Sequence, residues 1–186
     1  MSVDTVLHEA ESKMAKSVEH LQHELQTIRT GRANPALIDH VQVPYYGVLT
    51  ALRELAQISA PEPRLLLVQV YDRGQVQVVE KAIRESGMGL NPASDGQLVR
   101  VPIPALTEER RKEFVKMVRH KAEEARVAVR NVRREENHRV QELAKAGEIA
   151  EDVSKRAQDH LQRITDAHVA RIDSIAQVKE AEVLEV

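Results

Sequence analysis

The sequence has no cysteine and no tryptophan, and only three tyrosines and one phenylalanine in 186 residues. Without thiols there are no disulfides, no thiolate metal ligands and no cysteine nucleophile, a composition that suits the cytoplasm. With aromatics at 2%, a core has to be packed from Val, Leu, Ile and Ala, which favours helices over a β-sandwich. No apolar run approaches the roughly 20 residues of a membrane span. Ser2 to Glu11 lacks the basic flank and apolar stretch of a signal peptide, so the expectation is a cytoplasmic protein with no membrane contact. An excess of one charge sign is also missing: 27 basic against 29 acidic residues give a net charge of -2, so bulk charge predicts no nucleic-acid partner.

The usual constellations of catalysis are equally scarce. No serine sits in a G-x-S-x-G elbow, and Gly87-Met88-Gly89 lacks the third glycine and Lys-Ser/Thr of a nucleotide-binding loop. His20 and His23 lie one helical turn apart without a third ligand, the arrangement of ordinary exposed histidines. Glu108-Glu109 and Glu151-Asp152 stand where helix N-termini favour negative charge. The expectation is that the chain is not an enzyme, with no cofactor, no metal and no catalytic residue. A hydrolase remains a remote alternative that a turnover assay would settle.

What the chain does have is helical periodicity at both ends. Leu7, Met14, Leu21 and Ile28 recur every seven residues with Val18 and Leu25 between them, predicting a first helix from Val3 to Thr30, capped by Ser2 or Asp4 and stopped by Gly31. A second runs from Thr107 to Lys145 with a seam of Val115, Val118, Ala122, Ala125, Val129 and Val132. At ~1.5 Å per residue it spans roughly 55 Å. Thr107 caps it and Gly147 ends it. A third shows Val153, Ala157, Leu161, Ile164, His168, Ile172 and Ile175, where His168 reads as a core or bundle-edge residue. None of the three can bury its stripe alone, so an elongated three-helix bundle is expected.

Between the first two helices the period changes. Val41, Val43 and Tyr45 alternate with polar or proline positions, and further strands are expected at Val48 to Ala51, Gln57 to Ala60, Leu65 to Tyr71 and Leu98 to Ile103. One helix interrupts them, from Gln75 to about Ser86. Asn91-Pro92 and Ser94-Asp95-Gly96 read as turns. The fold class is therefore α+β: residues 1–30 plus 106–186 form the bundle, and residues 31–105 form an inserted small α/β domain. Two adjacent connections, Gly31 to Pro35 and Pro102 to Ala105, allow rotation as a hinge.

Charge distribution supplies the functional signal. Glu108 to Arg134 carries ten Lys or Arg against five Glu, whereas Glu135 to Val186 carries seven against twelve. Lys112, Lys116, Arg119, Arg126, Arg130 and Arg133 fall within a ~100° arc beside the apolar seam, with Glu123 the one acid inside it. Arginine suits bidentate phosphate contacts, so the stripe fits a phosphate backbone. Arginines flanking a seam also lie over neighbouring helices, and some of these are candidates for that structural role. With almost no aromatics to stack on bases, folded RNA or a duplex backbone fits better than a single strand. A helical adaptor binding protein or RNA stays open beside this reading, distinguished by the salt dependence of affinity.

Six segments carry a resemblance. Ile28-Arg29-Thr30-Gly31-Arg32-Ala33, Tyr45-Tyr46-Gly47, Val79-Glu80-Lys81-Ala82-Ile83, Gly89-Leu90-Asn91-Pro92, Leu106-Thr107-Glu108-Glu109-Arg110-Arg111-Lys112 and Val127-Ala128-Val129-Arg130-Asn131-Val132-Arg133-Arg134 together resemble the ribosome recycling factor family, in order along essentially the whole chain. The resemblance implies an L-shaped, transfer-RNA-sized monomer that binds the post-termination ribosome and, with the GTPase elongation factor G, splits it into subunits. It implies contacts to large-subunit ribosomal RNA at Arg130 and Arg133, helped by Arg110 and Arg29, with Arg126 and Arg119 on the same stripe. It places a hinge at Arg32, Ala33, Pro104 and Ala105. The sequence departs from the family pattern at Ala51, at Glu135-Glu136-Asn137-His138 and at Ala150, where a capping serine is usual. Glu136 falls on the seam of the second helix, against tight closure there.

Overall fold

The computed structural model of the protein describes residues 2–185. In chain order its elements are α1 (Val3–Gln26), β1 (Gln42–Tyr45), β2 (Val48–Ala51), α2 (Leu52–Leu55), β3 (Ala56–Glu62), β4 (Leu65–Val70), α3 (Val76–Arg84), β5 (Ala93–Asp95), β6 (Leu98–Pro102), α4 (Glu108–Lys145) and α5 (Glu151–Leu184), with short 3-10 turns at Pro35–Leu37 and Arg73–Gln75. They form two compact units: Met1–Ile28 with Glu113–Ala181, and Arg29–Lys112 with Glu182–Val186.

The first unit is a three-helix bundle. The Thr5 backbone N–H donates to Ser2 Oγ at 3.2 Å, which starts α1. That helix stops at Gln26, short of the expected Thr30, because the Thr27 hydroxyl takes the Glu24 carbonyl at 2.7 Å and the Thr27 and Ile28 N–H groups tighten the last turn. Thr107 Oγ1 accepts the Arg110 N–H at 3.2 Å and caps α4. At its other end Gly147 takes φ 74°, and the N–H groups of Gly147 and Glu148 donate to the carbonyls of Ala144 and Leu143, both at 3.0 Å. This is a Schellman closure, and the positive φ requires the glycine.

Cross-helix contacts give the directions. Lys13 pairs with Glu136 and Glu24 with Lys121, so rising numbers on α1 meet falling numbers on α4. Arg119, Arg126 and Arg133 meet Glu180, Asp173 and Gln162 in turn, so α4 and α5 are antiparallel too. It follows that α1 and α5 run parallel, with Thr165 Oγ1 4.0 Å from Met14 Sδ. Val6, Ala10, Val140, Leu143, Ala157 and Leu161 form a shared core at one end. There Val6 and Ala10 are buried and Leu7 only half-buried, because a helix packed between two neighbours buries a stripe wider than one heptad seam.

The seam of α4 is buried at Val115, Val118, Ala122, Ala125 and Val129, half-buried at Val132, and continues through Glu136, Val140 and Leu143. Glu136 is fully excluded from solvent. Its Oε1 accepts Lys13 Nζ at 2.7 Å and its Oε2 accepts Arg139 Nη1 at 2.8 Å, and Arg139 also grips Glu9. Closure here rests on a charge network linking α1 to α4, because a buried carboxylate is tolerated only when both oxygens are paired. On α5, Ala157, Leu161, Ile164 and Ile172 are buried, while Val153, His168 and Ile175 are half-buried. His168 Nδ1 lies 2.8 Å from the Ile164 carbonyl, a partner within its own helix.

The second unit holds the strands. A four-stranded antiparallel sheet has the order β3-β4-β6-β5, and β1 and β2 form a separate hairpin. Leu66 faces Val101 and Val68 faces Val99 in the β4–β6 register, which puts these alternate positions in the core with Val76, Val79 and Ile83 of α3. The strands fall close to where alternation predicts them, β3 running two residues past the expected Ala60, with one addition: Ala93–Asp95, which overlaps the expected Ser94-Asp95-Gly96 turn, pairs with β6 as an edge strand. Its three residues are all exposed, so it has no apolar alternation to announce it. The one-turn α2 is a second helix beyond the single one expected.

Candidate nucleic-acid interface

The basic positions of α4 are presented because they flank the inward-facing Val/Ala seam, and the intervening three- and four-residue steps keep the arginines beside α5. Arg119 makes a forked contact with Glu180, Nε to Oε1 at 2.9 Å and Nη2 to Oε2 at 3.5 Å. Arg126 donates from Nε to Asp173 Oδ1 at 2.7 Å and from Nη1 to Glu123 Oε2 at 2.9 Å. The other Glu123 oxygen lies 3.6 Å from Arg130 Nη1. Farther along, the partners lose their charge. Arg133 Nη1 donates to the Gln162 amide oxygen at 3.0 Å, and Arg134 Nη1 to Asn131 Oδ1 at 3.5 Å.

The stripe is thus graded. Its Arg119–Arg126 part is matched by carboxylates, Arg130 shares one, and Arg133 and Arg134 hydrogen-bond to neutral amides. The electrostatics agree: the Glu180 hydrogen bond holds the Arg119 guanidinium above its ordinary value. At Arg126, partial burial works against the charge, but Asp173 and Glu123 outweigh it and the net shift is upward.

The other predicted residues lie in the second unit. Arg29 Nη2 donates to the Pro104 carbonyl at 3.1 Å, and Arg110 is exposed on the first turn of α4. Neither shares the bundle unit with Arg119, Arg126, Arg130 and Arg133. Of the positions expected at a hinge, Ala33 donates its N–H to the Pro63 carbonyl at 2.6 Å and Arg32 pairs with Glu185. Thr30, Gly31, Arg32, Pro63, Ala105 and Leu106 line a pocket of about 410 Å³. Sequence reasoning missed Gln162, Asp173 and Glu180, the α5 side of the interface. Their signal was a polar stripe through Gln162, Asp166, Asp173 and Glu180 at steps of four and seven. Among the described residues no group of three or more His, Cys, Asp or Glu is placed to hold a metal. No helix among them is long and apolar enough to cross a membrane.

The architecture defines the class: an α+β protein in which a small α/β unit interrupts a bundle of three long helices, one of them edged with arginine. The family model for ribosome recycling factor matches residues 21–184. The ribosome-recycling factor of Rubrobacter xylanophilus is 52% identical over 180 residues, 97% of each chain. That of Thermomicrobium roseum is 50% identical over 184 residues, covering 99% of this chain and 100% of its own. A solution structure of the ribosome recycling factor matches with a TM-score of 0.77 at 40% identity, over 100% of this chain and 99% of that one. Models of the T. thermophilus factor and the E. coli elongation factor G bound to the E. coli post-termination complex match at TM-score 0.68 and 47% identity, covering 100% of both chains. The chain belongs to the ribosome recycling factor family.

Proposed function

We propose that this chain binds the post-termination ribosome and, with the GTPase elongation factor G, splits it into subunits so that translation restarts. The observation that carries this is the end-to-end match to ribosome-recycling factors at about half identity, together with likeness to a relative placed beside elongation factor G in a post-termination complex. In this reading the chain is not itself an enzyme; the hydrolysed GTP belongs to the partner, and the protein works as a cytoplasmic monomer without a cofactor. Residues 1–30 and 106–186 are the ribosome-binding domain, and residues 31–105 are the domain the GTPase pushes.

Arg133 and Arg130 anchor the bundle on phosphates of large-subunit ribosomal RNA, with Arg126, Arg119, Arg110 and Arg29 contributing less. Arg133 leads because an amide leaves its charge available, whereas Arg119 and Arg126 already face carboxylates. Arg32, Ala33, Pro104 and Ala105 form the hinge, supported by the non-helical backbone around Gly31, which has φ 79°. The test is ribosome binding by Arg133→Ala across a salt series. Affinity should fall and the log–log salt slope should drop by about one, as for the loss of one phosphate contact, with helicity unchanged. Wild-type affinity in this variant contradicts the anchor.

A further inference from the structure

The carboxylates facing the stripe stand where phosphate oxygens would stand. Glu180 takes Arg119 with two oxygens, the geometry with which a phosphate meets a guanidinium. Asp173 and Glu123 close on Arg126 from two sides, and Glu123 spans to Arg130 with its second oxygen. Arg126 is left with 23% of its side chain exposed, whereas Arg119 keeps 69%, so at Arg119 the acid matches the charge and fills one edge of the guanidinium without covering it. Two of the three acids come from α5, so they are held against α4 by the bundle itself. Beyond Arg130 the same face of α5 supplies Gln162 instead of an acid, and Gln162 is itself oriented by donating to Asp166 Oδ1 at 2.8 Å.

We propose that Glu123, Asp173 and Glu180 are a built-in carboxylate guard, which occupies the phosphate-binding faces of Arg119 and Arg126 and confines RNA-backbone contact to the Arg130–Arg134 end of α4. The guard rests on the RNA-anchor reading above and adds a limit to it. A stripe of four spaced arginines with all charges available would grip any RNA duplex, since phosphate contacts carry no sequence information. Neutralising two of them, with Arg126 also covered, shortens the footprint, keeps affinity for generic RNA low and ties productive binding to a surface that fits the remaining end. A phosphate that meets Arg126, or the Nε–Nη2 edge of Arg119, has to displace a carboxylate that is already in place.

The experiment compares binding to a generic RNA duplex of about two helical turns across a salt series. The proteins are wild type, the Asp173→Asn/Glu180→Gln double variant, a Glu11→Gln/Glu19→Gln control with the same change in net charge on exposed α1 positions, and Arg133→Ala. The amides keep side-chain size and still accept hydrogen bonds from arginine, so the fold is retained and circular dichroism checks it; Asp173→Asn alone serves if the double variant loses helicity. The guard predicts that the double variant binds roughly tenfold tighter, with a salt slope steeper by about one to two contacts, while the control changes little. Acids that only tie α5 to α4 leave affinity at the wild-type level, and that result, or an equal gain in the control, overturns the guard. Arg133→Ala separates the two readings. If it weakens binding while the double variant does not strengthen it, the guard alone fails; if it leaves binding unchanged, the anchor fails.

Discussion

Gly31 stands at φ 79°, with Leu106 Cγ 3.6 Å from where a Cβ would sit. That spacing is ordinary contact, so a substitution there meets a conformational cost and no clash. Gly31→Ala should lower stability by about 1–2 kcal/mol through left-handed strain, read as a fall of a few degrees in the thermal midpoint. An unchanged midpoint would mean the backbone relaxes at this position. In the sequence Gly31 reads as a helix stop, whereas α1 ends before it and the glycine serves the connection that follows. Tyr46 was less legible still. Its φ of 46° in the β1–β2 turn is left-handed, a place where Asn or Gly is expected, and the ring is braced by an edge contact to Tyr45 with centroids 4.5 Å apart and by its hydroxyl 2.8 Å from Asp72. That brace depends on contacts across 26 residues, which no local pattern reveals.

At the scale of the element, the long helices were legible because heptad spacing, caps and glycine stops are local, and Ser2, Thr107 and Gly147 act where the spacing places them. The charge network at Glu136 was legible only as an anomaly, since Lys13, which pairs with Glu136, and Glu9, which pairs with Arg139, lie on another helix. It makes a two-sided pH prediction. The Arg139 hydrogen bond holds the Glu9 carboxyl below its ordinary 4.5, so this contribution is present above that value and is lost as pH falls through the folded pKa. The Glu136 hydrogen bond holds Lys13 above its ordinary 10.5, so that contribution is present below 10.5 and is lost as pH rises beyond it. Arg139→Met also removes a partner from the fully buried Glu136, and should destabilise the bundle by roughly 2–3 kcal/mol at neutral pH, less than for an unpaired buried charge because Lys13 still pairs with Glu136. Its urea midpoint should also depend less on acid below pH 4.5 than that of wild type. A parallel acid profile would remove Glu9 from the account. At the start of α5, Ala150 precedes the first helical residue and offers no side-chain oxygen. Ala150→Ser should stabilise by about 1 kcal/mol, and a lower midpoint would show that the cap position is not limiting there.

For the whole molecule, the division into helix bundle and α/β unit was readable because the hydrophobic period switches once in each direction, near Gly31 and near Pro104. The proposed anchor was half readable. Periodicity gathered Arg119, Arg126, Arg130 and Arg133 onto one face, but their ranking depends on which α5 residue stands opposite each one. Helix register decides that, and composition does not record it. A net charge of -2 likewise hides a basic stripe in which Arg133 and Arg134 bond to neutral amides. The central claim is that this chain and the GTPase act together on the ribosome, and light scattering tests it most directly. Post-termination ribosomes mixed with the purified protein, elongation factor G and GTP should lose scattering as subunits separate, require both proteins, and respond about tenfold more slowly with Arg133→Ala at limiting concentration. Scattering that stays at its starting level with both wild-type proteins present would contradict the account.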